Sequence, residues 1–314
     1  MIQRIIDVIH SCETFLITSH VRLDGDALGS ELALWHVIND MGKKAVVYNQ
    51  DTAPEMYQFL PGCDAIQHEL ASGEKFDAVF VLDCSESERA GNLVDLVRSS
   101  PLMINIDHHI SNTFFSELSL VDVDASSTGE ILYRIIKAMG ISVTKDVATN
   151  LYTAILTDTG SFRYSNTTPA TFAVVADLVN LGADPREVAE NVYETKPLVQ
   201  MHLLKEALNT LEVNGDRKIG SIVVTREMVT RAGALQEHTE GFVDLVRSIR
   251  GVDIALFFHE TAHDVFKISL RSKGTVNVEK IARAFGGGGH LNASACTIAG
   301  DIKSVKRRLL GAIE

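Results

Sequence analysis

Only four cysteines occur in the 314 residues, at positions 12, 63, 84 and 296, and no two stand in a C-x-x-C spacing. Their scatter excludes a disulfide framework and a zinc–thiolate centre, and leaves reduced, mostly buried thiols. Long apolar runs are missing too. The longest, such as Ala78 to Leu82 and Ile254 to Phe258, have the length of a buried strand and fall far short of a bilayer span. Met1 to His10 carries Arg4 and Asp7 in an amphipathic pattern, so it reads as a helix rather than a cleavable leader, and a cytoplasmic protein without membrane contact is expected. Excess positive charge is also absent. A net charge of −12 disfavours binding along a long polyanion, which depends on many basic residues displacing counterions. A short phosphorylated substrate needs only a few local cations and metal ions.

What is present is a chain long enough for two domains, 46% of it apolar, as in soluble globular proteins. In the first half, short apolar runs alternate with helical patterns, the signature of a parallel sheet with helices on both faces. Strands are expected at Phe15 to Ser19, Ala45 to Tyr48, Ala78 to Asp83 and Leu102 to Asp107. Ser127 with Glu130 reads as a capping box, and Thr168 before Pro169 as a helix start. Residues 185–211 read as a helical connector, dividing a domain over 1–184 from a smaller mixed α/β domain over 212–314. In the latter, strands are expected at Ile219 to Thr225, Val252 to Glu260, Val265 to Arg271 and Ala293 to Ala299.

Ligands in open parallel sheets bind at the carboxyl ends of the strands, and the acidic and histidine residues fall there. His20 ends the first strand and leads into Asp24-Gly25-Asp26; Asp83 ends the third, and Asp107-His108-His109 the fourth. Each has a plainer reading: Asp24 or Asp26 could simply cap the next helix, Asp83 could cap the segment from Ser85 to Arg89, and a lone histidine is usually an ordinary hydrogen-bonding residue. Asp158 closes a helical pattern, where a negative charge is unfavourable unless a cation compensates it. Taken together, Asp24, Asp26, Asp83 and Asp158 carry enough charge for two divalent cations, with His20 and His108 as nitrogen donors. Oxygen-rich donors without thiolate suit Mn²⁺, with Mg²⁺ or Co²⁺ as alternatives. Two such ions about 3.5–4 Å apart can share a hydroxide for in-line attack on phosphorus, so phosphate-ester hydrolysis is expected.

These motifs, in this order, resemble those of the DHH phosphoesterase superfamily, named after the triplet seen here as Asp107-His108-His109. Gly286-Gly287-Gly288-Gly289-His290 is similar to the glycine-rich motif of the DHHA1 domain, and Arg271 to that domain's strand-end arginine. The sequence departs from the family pattern at Leu23, often proline, and at Ala295, commonly glycine. The resemblance implies that His20 and Asp24 hold one metal, that Asp26, His108 and Asp158 hold the other, and that Asp83 bridges them. It further implies that His109 faces the substrate phosphate and that Asp107 orients a histidine from behind. Arg271, Ser272, Gly287, Gly288, Gly289, His290 and Asn292 would bind substrate, with the active site in a cleft between the two domains. Chains of this length resemble the bifunctional oligoribonuclease and 3′-phosphoadenosine 5′-phosphate (PAP) phosphatase group, or nanoRNases, which implies short RNA or a nucleotide as substrate; a homodimer is a further expectation. A cyclic-dinucleotide phosphodiesterase, a family II-like pyrophosphatase and a non-enzymatic nucleotide sensor are the alternatives.

Overall fold

The computed structural model describes residues 1–313 apart from 72, 101 and 217. It divides into two compact units, Met1–Thr195 and Lys196 onward. The first begins α1 (Ile2–Ser11), β1 (Thr14–Thr18), α2 (Gly25–Asp40), β2 (Lys44–Val47), β3 (Ala78–Leu82), α3 (Val94–Ser99), β4 (Met103–Asp107) and β5 (Leu118–Val121). It ends with α4 (Thr128–Ala138), α5 (Lys145–Asp158), α6 (Pro169–Asn180) and α7 (Pro185–Tyr193). All strand pairings in its sheet, β2-β1-β3-β4-β5, are parallel.

The strands are continuous apolar runs because both faces are covered. Phe15, Ile17, Phe80 and Ile106 pack with Ile5, Leu28, Leu32 and Leu151 of α1, α2 and α5. On the other face Leu16, Val79 and Val81 meet Leu93 and Val97. The short strand β5 escapes the sequence pattern because its residues after Leu118 are only half-buried.

Helix caps explain where the chain turns. Thr168 and Thr171 cap each other reciprocally ahead of α6. At α4 only half of the expected capping box forms: Ser127 Oγ accepts from Glu130 N–H at 3.1 Å. The Glu130 carboxylate instead reaches one residue further back, to Ser126 N–H and Oγ, and also accepts from Thr171 Oγ1, which ties α4 to α6.

The second unit holds α8 (Leu198–Leu208), β6 (Glu212–Asn214), β7 (Ile219–Val224), α9 (Arg226–Ala232), α10 (Phe242–Ser248), β8 (Ile254–Ala262), β9 (Val265–Ser272), α11 (Val278–Arg283), β10 (Gly288–His290), β11 (Ala293–Ala299) and α12 (Ile302–Gly311). Its six-stranded mixed sheet runs β10-β11-β9-β8-β7-β6. One face packs on α11 and α12 through Leu256, Ile268, Val278 and Val305. Over β7 and β8 the other face is covered by α8 and α10 through Leu203, Phe242 and Val246. Within residues 185–211, α7 groups with the first unit, and α8, through Leu203 and Ala207, packs in the core of the second. Among the described residues no helix is long and apolar enough to cross a membrane.

The packing of α2 on α5 sets the position of the residues that lead out of β1, and it depends on Gly29. A Cβ at Gly29 would lie 2.4 Å from the Asn150 carbonyl oxygen, a backbone atom that cannot rotate away. Gly29→Ala should therefore destabilise the first unit by roughly 1–3 kcal/mol despite alanine's better helix propensity, read as a lowered thermal midpoint by calorimetry; an unchanged or raised midpoint would contradict this packing role for Gly29.

Candidate metal centre

The carboxyl ends of β1, β3 and β4 lie side by side in the sheet, so the residues just beyond them converge. His20 Nδ1 bonds the Val21 carbonyl at 2.9 Å, which directs Nε2 inward to 3.6 Å from Asp24 Oδ2 and 3.4 Å from Asp83 Oδ2. His108 is held the same way, Nδ1 against the Ala125 carbonyl, with Nε2 3.6 Å from Asp26 Oδ2, 3.6 Å from Asp83 Oδ1 and 3.4 Å from Asp158 Oδ2. Fixing one ring nitrogen by a carbonyl sets which nitrogen is presented to a ligand, as metal-binding imidazoles require.

Asp24 combines the two functions that the sequence leaves as alternatives. Its Oδ1 caps α2, accepting from Asp26 and Ala27 N–H, while Oδ2 faces His20. Asp26 is buried against the first turn of α4, accepting from Thr128 N–H at 2.7 Å and Gly129 N–H at 2.9 Å. Nothing in the sequence pattern points to this contribution of Thr128 and Gly129. The Ser127 cap signal marks the helix start, whose unpaired amides attract anions, but not the carboxylate 102 positions away that they meet.

Asp83 stands between the histidines in a left-handed backbone conformation, φ 51°, that costs a non-glycine residue energy. Thr128 Oγ1 donates to its Oδ1 at 3.0 Å. Asp107 sits behind, accepting from His109 Nδ1 at 2.7 Å and from Asn112 Nδ2 at 2.6 Å. It therefore orients His109, whereas His20 and His108 are oriented by carbonyls. Asn166, also missed by the sequence pattern, reaches back to donate to the Asp158 carbonyl and, at 3.4 Å, to its Oδ2.

Burial would lower the basicity of His20, but Asp24 and Asp83 outweigh it and raise its pKa to about 10. His108 is raised likewise, burial being outweighed by Asp158, Asp83 and Asp107. Burial works against the Asp83 carboxylate, yet His109, His20 and His108 hold it well below the usual range. Asp26 goes well above, through burial and the charges of Asp83, Asp158 and Asp24. Asp158 rises to about 6, chiefly through burial and then Asp83 and Asp24, against the pull of His108. The cluster thus holds more negative charge than its imidazoles balance.

A divalent cation fits this donor set. Donor atoms of His20, Asp24 and Asp83 lie within 4.8 Å of one another, and so do those of Asp26, Asp83 and His108. Carboxylate oxygens and imidazole nitrogens without sulfur are the donors that Mn²⁺ and Mg²⁺ accept. The cluster opens to solvent on the side of Asp24 and Asp158, whose side chains are 54% and 23% exposed, while Asp26 and Asp83 are almost fully buried.

In the second unit the sheet register places Arg271 opposite Ala293, and Ala293 opposite His290, in one row across β9, β11 and β10. Residues directly opposite share a face, so Arg271 and His290 flank a small alanine, on the face turned away from Leu270 and the α11 core. Arg271 Nη1 donates to the Leu270 carbonyl at 3.2 Å, and its buried Nε has no acceptor among the described residues.

Ser272 points to the opposite face, where its hydroxyl donates to the Val276 carbonyl and accepts from Asn292 Nδ2 at 2.8 Å. Both side chains therefore brace the turn after β9. The glycine run also differs from expectation. The amides of Gly286 and Gly287 donate to the carbonyls of Arg283 and Ala282 and close α11, so they are not bared to cradle an anion. Gly287 is required because a Cβ there would lie 2.1 Å from the Ala295 carbonyl oxygen, whereas Gly288 has open space.

Residues 14–155 match the family described as DHH family, N-terminal domain, and residues 220–314 match the DHHA1 domain. The bifunctional oligoribonuclease and PAP phosphatase NrnA of Thermus thermophilus is 33% identical over 95% of this chain and 88% of its own length. The protein of the same name from Bacillus subtilis is 27% identical over 91% and 90%. The crystal structure of an exopolyphosphatase-related protein from Bacteroides fragilis superposes with a TM-score of 0.90 at 28% identity, covering 99% of this chain and 95% of that one. With the Asp107-His108-His109 triplet at its strand end and a relative alike over nearly its whole length, the chain belongs to the DHH family and carries a DHHA1 domain as its second unit.

Proposed function

We propose that this protein is a phosphoesterase that hydrolyses short oligoribonucleotides to mononucleotides and PAP to AMP and phosphate, using two divalent metal ions. One observation carries the reading: the two oxygens of Asp83 face different histidines, Oδ2 toward His20 and Oδ1 toward His108, so one carboxylate belongs to both donor clusters. His20, Asp24 and Asp83 would hold one ion, and Asp26, His108, Asp158 and Asp83 the other. The relatives named above act, by name, on oligoribonucleotides and PAP.

When bound, two such ions supply Lewis-acid activation of water and neutralise charge on the phosphoryl oxygens. The chain's own residues do the rest. His109, its Nδ1–H held by Asp107, presents a ring that can donate to a phosphoryl oxygen. Thr128 keeps Asp83 and Asp26 in place through its hydroxyl and amide. Arg271 and His290, in one row of the second unit's sheet, would offer donors for a further substrate phosphate, Arg271 in bidentate fashion. Because Ser272, Asn292 and the Gly286 and Gly287 amides are engaged locally, that grip rests chiefly on Arg271.

With Mn²⁺, a 5′-phosphorylated dinucleotide and PAP should be turned over well ahead of cyclic di-AMP and pyrophosphate, and Asp83→Ala should lose about a thousandfold or more in rate. Preference for cyclic di-AMP or pyrophosphate would transfer the protein to a different DHH activity, and inertness toward all four would favour a sensor. Arg271→Ala should raise KM for the 5′-phosphorylated dinucleotide about tenfold or more; unchanged kinetics would remove Arg271 from the site.

The charge balance yields a further test. Asp158 at about 6 and Asp26 well above its ordinary value bind more protons folded than unfolded, so the stabilisation they lend the metal-free protein is full below pH ~4 and lost as pH rises through 6 and above. A divalent cation replaces those protons. The rise in melting temperature on adding Mn²⁺ to chelator-treated protein should therefore grow between pH ~5 and ~7.5, and an increment that is flat or shrinks would count against metal binding here.

A further inference from the structure

The loop that leaves Asp83 carries an arginine beside the acidic cluster. After β3 the chain forms a 3-10 segment over Ser87–Leu93, which is locked onto the loops leaving β1 and β2. Val21 N–H donates to the Arg89 carbonyl at 2.8 Å, placing residue 89 next to the chain that leaves His20. Asn92 N–H donates to Gln50 Oε1 at 3.0 Å. Gly91, at φ 62°, lies so close that a Cβ there would be 2.6 Å from Val21 Cγ1 and 2.5 Å from Gln50 Oε1. Three strand-end loops are thereby clasped together, and the backbone of Arg89 is held against the chain that leaves His20.

The Arg89 side chain leaves this clasp half-buried. It makes no ion pair among the described residues. The adjacent Glu88 is taken by Arg98, and the aspartates of the cluster meet His20, His108, His109 and the α4 amides. An arginine held at the edge of a carboxylate cluster but paired with none of it keeps its planar set of donors for an anion brought from outside.

We infer that Arg89 donates hydrogen bonds to a non-bridging oxygen of the substrate phosphate that lies over the candidate metal centre, making it a substrate-binding residue of the first unit. This rests on the phosphoesterase reading. It adds that the first unit has a phosphate cation of its own, independent of Arg271.

The test compares wild type, Arg89→Ala and Arg89→Lys in Mn²⁺, using calorimetric binding of a phosphonate-linked, non-hydrolysable adenylyl dinucleotide and inhibition of dinucleotide hydrolysis by inorganic phosphate. Arg89→Ala should weaken both about tenfold to a hundredfold, with Arg89→Lys recovering part, and with Mn²⁺ affinity and thermal midpoint unchanged. Unchanged analogue binding in Arg89→Ala would overturn the inference, whatever happens to kcat. So would a loss matched by an equal loss of Mn²⁺ affinity, since that would make Arg89 a support for the cluster. Failure of wild type to hydrolyse any substrate would instead overturn the phosphoesterase reading, and wild-type hydrolysis with no effect of the substitution would overturn only the role of Arg89.

Discussion

The mutual repulsion of four aspartates gathered at the carboxyl edge of one parallel sheet is the constraint that the first unit is built around. Buried carboxylates are tolerated only when paired, hydrogen-bonded or metal-bound, and each of the four, the buried Asp26 and Asp83 and the more open Asp24 and Asp158, receives its own compensation. Asp24 caps α2, Asp26 is met by the first amides of α4, and Asp83 is surrounded by three imidazoles. Asp158, at the end of α5 where the helix field is unfavourable, has the least protein support, and its pKa rises to about 6. These compensations require α2, α4 and α5 to approach closely, which is why a glycine faces a backbone carbonyl at their contact.

Much of this frame is legible in the sequence because a parallel sheet buried on both faces writes itself as uninterrupted apolar runs, and the polar residue that ends each run is a strand end. The Asp24-Gly25-Asp26 and Asp107-His108-His109 segments can be read from that rule without any family resemblance. What cannot be read is how one side chain divides its atoms. Asp24 is both a cap and a member of the cluster, a choice the sequence poses as either-or. Thr128 is likewise invisible, because its amide and hydroxyl meet carboxylates brought from two other strand ends by tertiary packing.

In the second unit local pattern misleads for a physical reason. A glycine run suggests exposed amides, but here the first two amides finish α11, and Gly287 must also be small because the chain there lies against β11. Alternation along β9 sorts its polar residues more reliably: Ser269 and Arg271 turn to one face, while Ser272 falls with the buried set and braces a turn. Neighbours in sequence are opposites on a strand. Reading Arg271 and Ser272 as one motif therefore joins two residues that the sheet separates.

Local fields, rather than net charge, decide what an acidic protein can bind. With −12 overall, a long polyanion crossing this surface would meet repulsion along most of its length and gain few counterion-releasing contacts. A short nucleotide need only enter the region where the sign is reversed. On the proposed reading, metal charge at the Asp83 cluster, the half-buried Arg89 beside it and Arg271 on the second unit each attract one phosphate. A substrate offering just two or three phosphates gains nearly all of the attraction and little of the repulsion. Selectivity for short substrates then needs no steric barrier, because every added nucleotide brings charge that finds no cation.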